Sequence, residues 1–406
     1  MVLSPKTMAD REKPAEVDAH GQRPTWAEID LDALASNFRW VRERVGSGVK
    51  VMAVVKANAY GHGANACAQR LSAEGADWFA VAMPEEGIEL RHAGIRQPIL
   101  SFGGFWKGQE RLCLNESIVP VVYRLDMIEA LDRAAREMQT IADVHLKIDT
   151  GMGRLGVRFC EVGEFTDALR AFQNIRVDGV MTHFAAADNP DLDCFTNEQV
   201  ARFRQAVATL RERGHKPTFE HMANSAGTFA HPFSWGNMVR PGGVLYGLWR
   251  DILPPATQPP PLLPVMTVRS RITLLKRVAV GETLGYGCTF KTSRETIVAT
   301  LPVGYNDGYV RALSNRGRAI VRDCYAPVVG RISMDLTLLD VTDVPGVALD
   351  DRVTLIGTDG KLSVSAEDVA QTAGTLSYEI TCGISLRVPR QYREKQETES
   401  RSQKSE

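Results

Sequence analysis

The sequence is short of the features that would make several functions easy to recognise. Its 48 Lys and Arg nearly cancel its 49 Asp and Glu, for a net charge of −1 over 406 residues. There is no basic excess or stripe of the kind that neutralises nucleic-acid phosphates. No apolar run approaches the ~18 residues of a membrane-spanning helix. Seven cysteines, widely spaced and without a CxxC, argue against a disulfide framework or a structural zinc site, and no other metal-ligand cluster is evident. The first 24 residues include Lys6, Arg11, Glu12, Lys13, Pro14 and Asp18 but no apolar stretch of a secretory leader, so a cytoplasmic location is expected. With 44% hydrophobic and 24% charged residues, the composition is that of an ordinary globular chain.

What is present is an alternation. From about residue 30 to 250, short apolar runs alternate with helical patterns. Asp32 is expected to open a helix with Leu34, Phe38, Val41 and Val45 on its apolar face. Strands are expected at 49–55, 77–82, 97–101, 118–122, 142–148, 177–183, 218–222 and 238–240, separated by helices such as 125–138 and 196–213. Eight buried runs alternating with helices favour a (β/α)8 TIM barrel over a doubly wound open sheet. Six prolines between Leu253 and Pro264 read as an extended linker. Beyond it, period-two alternation marks a smaller, mostly β domain in which only Ser365–Ala373 looks helical. The expected organisation is a tail at 1–24, a barrel at 25–258, a β-rich domain at 259–390 and a polar tail at 391–406.

Functional groups of a parallel barrel lie after the C-terminal ends of its strands. Lys56 directly follows the run 49–55, where partial burial would lower an amine's pKa and let it attack a carbonyl; a surface lysine at a strand end is the alternative. Lys147 precedes the glycine-rich DTGMGRLG (149–156), and Arg154 lies within it and offers a bidentate fork for a carboxylate. His183 ends its strand. After 218–222 come Asn224 and Ser225, a small polar cluster suited to a phosphate at a helix start. Arg240-Pro241-Gly242-Gly243 offers a second anion cradle. Each signal is weak by itself. Together they suit a phosphorylated aldehyde held by a lysine, which is pyridoxal 5'-phosphate.

At this point nine motifs match a family. AVVKANAYGHG (53–63), HLKIDTGMGRLG (145–156), THFAAAD (182–188), HMANSAG (221–227), RPGGVLYG (240–247), GYGCTF (285–290), LPVGYNDGY (301–309), VGRISMD (329–335) and YEITC…RVPR (378–390) resemble alanine racemase, in order, from about Thr25 to Arg390. The resemblance implies interconversion of L- and D-alanine, with D-alanine supplied to peptidoglycan. It implies a homodimer whose active sites are shared between subunits. Lys56 would carry the cofactor and act as one base, and Tyr286 of the partner chain would be the opposite base. Two bases on opposite faces are what racemisation needs, because one removes the α-proton and the other delivers one.

The resemblance further places Tyr60, Asn224, Ser225, Gly242, Gly243 and Tyr378 around the phosphate, His183 near the ring, and Arg240, supported by His221, at the ring nitrogen. Arg154 and the Met334 backbone would bind the substrate carboxylate. Lys147 matches a position that is often carbamylated, and Tyr305 and Asp335 would line the approach to the site. Two departures stand out: Asn306, where a small residue is more usual, and Gly243, where an aliphatic one is. A broad-specificity racemase acting on serine, lysine or arginine is the near alternative. A related decarboxylase fits the Tyr286 motif and Arg240 less well. A non-enzymatic carrier of the cofactor would lack the β-rich domain.

Overall fold

The computed structural model describes residues 23–255 and 259–394. Most of the expected tails at 1–24 and 391–406 (residues 1–22 and 395–406), and the domain boundary at 258, lie outside the described residues.

The first strand, β1 (Thr25–Asp30), leads into a helix at Leu31–Val45. That helix is capped two residues earlier than expected: the Asp30 carboxylate, not Asp32, accepts from Ala33 N at 2.8 Å. Eight parallel strands follow: β2 (Lys50–Val54), β3 (Trp78–Val81), β4 (Ile99–Ser101), β5 (Ile118–Val122), β6 (Ala142–Asp149), β8 (Ile175–Met181), β9 (Phe219–His221) and β10 (Met238–Val239). A two-residue strand, β7 (Val157–Arg158), adds to the end of β6. Pairing runs in chain order from β2 to β9, and β10 returns to pair with β2. Asn237 N donates to Glu220 O (3.1 Å) and Arg240 N to Ala223 O (3.0 Å), which closes the ring between β9 and β10. The expected (β/α)8 barrel is therefore present, and it is filled by side chains as small barrels are.

The remaining strands form a second, β-rich region: β11 (Met266–Arg271), β12 (Leu274–Val278), β13 (Thr283–Leu284), β14 (Phe290–Lys291), β15 (Thr296–Leu301), β16 (Arg318–Val321), β17 (Cys324–Pro327), β18 (Thr337–Asp340), β19 (Arg352–Asp359), β20 (Leu362–Val364) and β21 (Arg390–Arg393). Its main sheet has the order β17-β16-β19-β11-β1-β21. Two edges of the expected organisation shift as a result. β1 pairs antiparallel with β11 and parallel with β21, so residues 25–30 belong to this sheet and not to the barrel. Gln391–Arg393, expected to start the tail, are held as a strand by the same pairing. The chain thus stitches its N-terminal strand into its C-terminal sheet, and one buried apolar cluster runs through both regions. A second helix, Ser377–Gly383, joins the expected one at Ala366–Ala373.

Candidate active site

Lys56 sits where β2 leaves the barrel, and the chain then makes one left-handed turn. Ala57, Asn58, Ala59 and Tyr60 all have φ near +53°, with values of 54, 53, 53 and 53°. Non-glycine residues resist this conformation by roughly 1–2 kcal/mol each, so the surroundings must hold it. Glu86 accepts from Ala57 N (2.7 Å) and Ala82 N (2.6 Å). Asn58 Oδ1 accepts from Ala64 N (2.7 Å), and the Arg390 guanidinium donates twice to Gly61 O (3.1 and 2.9 Å). Burial, and then the charge of Arg154, lower the Lys56 ammonium from its ordinary value, with Glu86 opposing. A larger fraction of this amine is therefore neutral and nucleophilic.

Tyr60 ends the turn with its ring against Tyr378, at a centroid distance of 5.2 Å. Tyr378 comes from the helix Ser377–Gly383, so the second region contributes directly to the barrel mouth. Burial raises both phenols, which keeps them protonated as hydrogen-bond donors. The two glycines opposite them have no room for a side chain. A Cβ on Gly242 would lie 2.4 Å from the Tyr60 hydroxyl, and one on Gly243 would lie 2.4 Å from the Tyr378 ring. The unusual glycine at 243 thus makes space for Tyr378. Gly242 N donates to Ser225 Oγ at 3.0 Å, and the Asn224 side chain caps the helix Ser225–Ala230 by accepting from Gly227 N at 2.9 Å. Two phenol donors, a hydroxyl and glycine backbone therefore converge in one cradle.

Arg240 is buried and, among the described residues, meets no carboxylate. Nη1 donates to His221 O (2.8 Å) and His221 Nδ1 (3.1 Å). Nη2 donates to Thr182 O (2.7 Å) and Met222 O (2.8 Å), with His183 Nδ1 at 3.4 Å. Burial lowers this guanidinium to about 9, still above neutrality, so it stays a cation. Burial pushes His183 and His221 well below the usual imidazole range, helped by the charges of Lys147 and then Arg240 at His183 and of Arg240 at His221. Lys147 is buried and sits in the fields of Arg240 and Arg154; burial first, then those cations, lower its amine strongly, against Asp149. Arg154 is exposed on the loop after β6.

Lys56, Tyr60, Lys147, Arg154, His183, His221, Asn224, Ser225, Arg240, Gly242, Gly243 and Tyr378 thus gather at one end of the barrel. Tyr286, Tyr305, Met334 and Asp335 do not join them. Tyr286 is 71% exposed on a short turn of the second region. Tyr305 N donates to Ser333 O (3.0 Å) and Asn306 N to Met334 O (3.1 Å), while Asp335 pairs with Arg387 (2.8 Å). Among the described residues, no hydrogen bond, ion pair or ring contact links these four to Lys56 or the cradle. Sequence reasoning missed Glu86, which carries no motif, and His145, which stood in HLKIDTG two positions before Lys147 and on the same strand face.

Residues 29–249 match the family model for the alanine racemase N-terminal domain, and 265–392 the model for the C-terminal domain. The chain belongs to the alanine racemase family. The alanine racemase of Halothermothrix orenii is 45% identical over 375 residues, which is 92% of this chain and 98% of that one. Among solved structures, the alanine racemase of Bacillus anthracis with bound L-Ala-P is 34% identical, with a TM-score of 0.83, covering 92% of this chain and 95% of that one. That of Bartonella henselae, with covalently bound pyridoxal phosphate, is 29% identical with a TM-score of 0.82, over 91% and 99%. No described helix is long and apolar enough to cross a membrane, and no group of His, Cys, Asp or Glu among the described residues is arranged to hold a metal.

Proposed function

We propose that this chain is a pyridoxal 5'-phosphate-dependent alanine racemase with a two-base site shared between two subunits. The observation that carries it is a buried Arg240, free of carboxylates among the described residues, beside a glycine cradle faced by two protonated phenols. The cradle fits a phosphate, because Cβ atoms at 242 and 243 would close it and its donors have anion chemistry. Lys56 would carry the cofactor, with Tyr60, Asn224, Ser225, Gly242, Gly243 and Tyr378 at the phosphate. When bound, the ring serves as the electron sink that acidifies the substrate's α-hydrogen.

The chain's own groups then handle charge and protons. Lys56, its ammonium pKa lowered by burial, takes or returns the proton at Nζ on one face. Tyr286 of a second subunit would hold the proton on the other face at its phenol oxygen; its exposure within one chain supports that assignment. Arg240 donates and keeps its own protons, so it does not protonate a ring nitrogen. Arg154 offers its fork to the substrate carboxylate, aided by the Met334 backbone. Burial, then Arg240 and Arg154, favour the neutral amine of Lys147; that form would add carbon dioxide and release a proton to water, and the resulting carbamate anion would orient Arg154. Tyr305 and Asp335 would shape the approach.

The test is a panel of L-amino acids incubated with the purified protein and the cofactor. Formation of D-alanine faster than any other D-isomer is the expected outcome. A protein that gains no cofactor absorption band would contradict the reading. One that racemises serine, lysine or arginine faster than alanine would move it to the broad-specificity alternative.

A further inference from the structure

The Arg240–His221 pair continues one residue deeper. His221 Nε2 lies 2.9 Å from His145 Nδ1, and His145 is fully buried inside the barrel on β6. The polarity of this chain is fixed at its charged end. A guanidinium has only donors, so His221 Nδ1 must accept from Arg240. In a neutral imidazole the proton then sits on the other nitrogen, so His221 Nε2–H donates to His145 Nδ1. His145 in turn carries its proton on Nε2, which has no hydrogen-bond partner. Burial, with the charge of Arg240 added, holds both rings neutral.

The barrel interior is shaped around the His145 ring. A Cβ on Gly179 of β8 would lie 2.6 Å from three of its ring atoms. The rings of Trp78 and Phe219 flank it at 5.2 and 5.9 Å. The β6–β8 register shifts between Val144 and His145. Space alone does not call for an imidazole here, since a phenyl ring would fill it without burying an unpartnered N–H. The feature that does call for one is the acceptor offered to His221.

We propose that His145 is a positioning residue for Arg240: by accepting from His221 Nε2–H it satisfies the tautomer that Arg240 demands and fixes the ring's tilt, and so aims the guanidinium. A carboxylate in the same place would draw His221 towards its charged form and offset the positive charge of Arg240. A neutral imidazole orients the chain and leaves that charge uncompensated. The consequence for the reaction rests on the cofactor reading above; the tautomer assignment does not.

The experiment uses imidazole ¹⁵N NMR on the cofactor-free and the loaded protein, with H145F and H145N beside the natural chain. Asparagine places an amide oxygen near the position of Nδ1, so H145N retains an acceptor, whereas H145F retains only the ring shape. The natural chain should show both His145 and His221 protonated at Nε2 alone and unchanging from pH 6 to 9, with or without cofactor. In H145F the His221 Nε2–H signal should move to that of an N–H without an acceptor. The bound cofactor's absorption should become pH-dependent, and kcat/KM should fall by about ten- to hundredfold, as when a supporting partner is removed elsewhere. H145N should recover most of that loss. Finding His221 protonated at Nδ1 in the natural chain, or H145F with an unchanged His221 signal and full kcat/KM, would overturn the proposal. If H145F does not fold, the natural-chain spectrum and H145N still decide it. A natural chain that binds no cofactor would instead sink the functional reading, while the cofactor-free spectra still judge His145.

Discussion

The barrel mouth and the second region hold their functional groups in opposite ways. At the mouth, Arg240 is hydrogen-bonded to His221 and Tyr60 packs against Tyr378, and Lys56, Tyr60, His221 and Arg240 are all pushed off their ordinary pKa values by burial. In the second region, Tyr286, Tyr305 and Met334 are 71%, 41% and 51% exposed and engage nothing at the mouth. The first is a preorganised half-site in which the fold has already met the desolvation cost of its charges. The second is a set of exposed side chains that, in the proposed dimer, would meet a copy of the barrel mouth.

Four results would break or sharpen that contrast. Lys56→Ala should remove the largest effect, cutting turnover by more than about 10⁴-fold because carrier and base go together, and it should abolish the cofactor's absorption band; an unchanged spectrum would end the assignment. Tyr286→Phe should cost about 10²–10⁴-fold in kcat, the usual range for a proton-transfer group, with the band intact. Full turnover in both directions would mean that the exposed tyrosine is not a base.

Gly242→Ala tests the cradle. Its new Cβ would sit 2.4 Å from the Tyr60 hydroxyl. Overpacking of this kind costs about 1–3 kcal/mol, or about ten- to hundredfold in cofactor affinity measured by equilibrium titration. Unchanged affinity would show that Tyr60 yields and the cradle is soft. The fourth result concerns stability. Burial lowers His62 to about 4 and His145 to about 3, so between those values and 6.5 the unfolded chain binds protons that the folded one refuses. Stability is then fully present above pH 6.5 and falls with acid, by about 1.4 kcal/mol per pH unit for each such ring. Denaturant titrations from pH 7.5 to 5 should show the decline, and a flat profile would mean that these rings are not buried neutral.

The two regions also differed in how legible they were. The barrel strands were readable because a parallel strand buried on both faces is an unbroken apolar run, as in Lys50–Val54 after its first residue. The site residues followed from what stands after each run, sharpened by the motif resemblance. The pairing of β1 with β11 and β21 was not readable, since Thr25–Asp30 touches strands more than 200 residues away and nothing local marks its partner. The helix carrying Tyr378 was hidden because seven residues are too few to show a period. Glu86 and His145 escaped for a different reason. Each acts through another residue, Glu86 on the backbone after Lys56 and His145 on His221, and such roles leave no spacing in the sequence.

The central claim is that neither chain alone contains a whole active site, and mixing two inactive variants tests it most directly. Lys56→Ala and Tyr286→Ala protomers, each inactive by itself, should be dissociated, combined in equal amounts and allowed to reassociate. Half of the resulting dimers are mixed, and each mixed dimer has one site with both natural residues, so turnover should return to about a quarter of the natural level. A mixture in which reassociation is verified but turnover stays at the level of the separate variants would contradict the account and place both bases within a single chain.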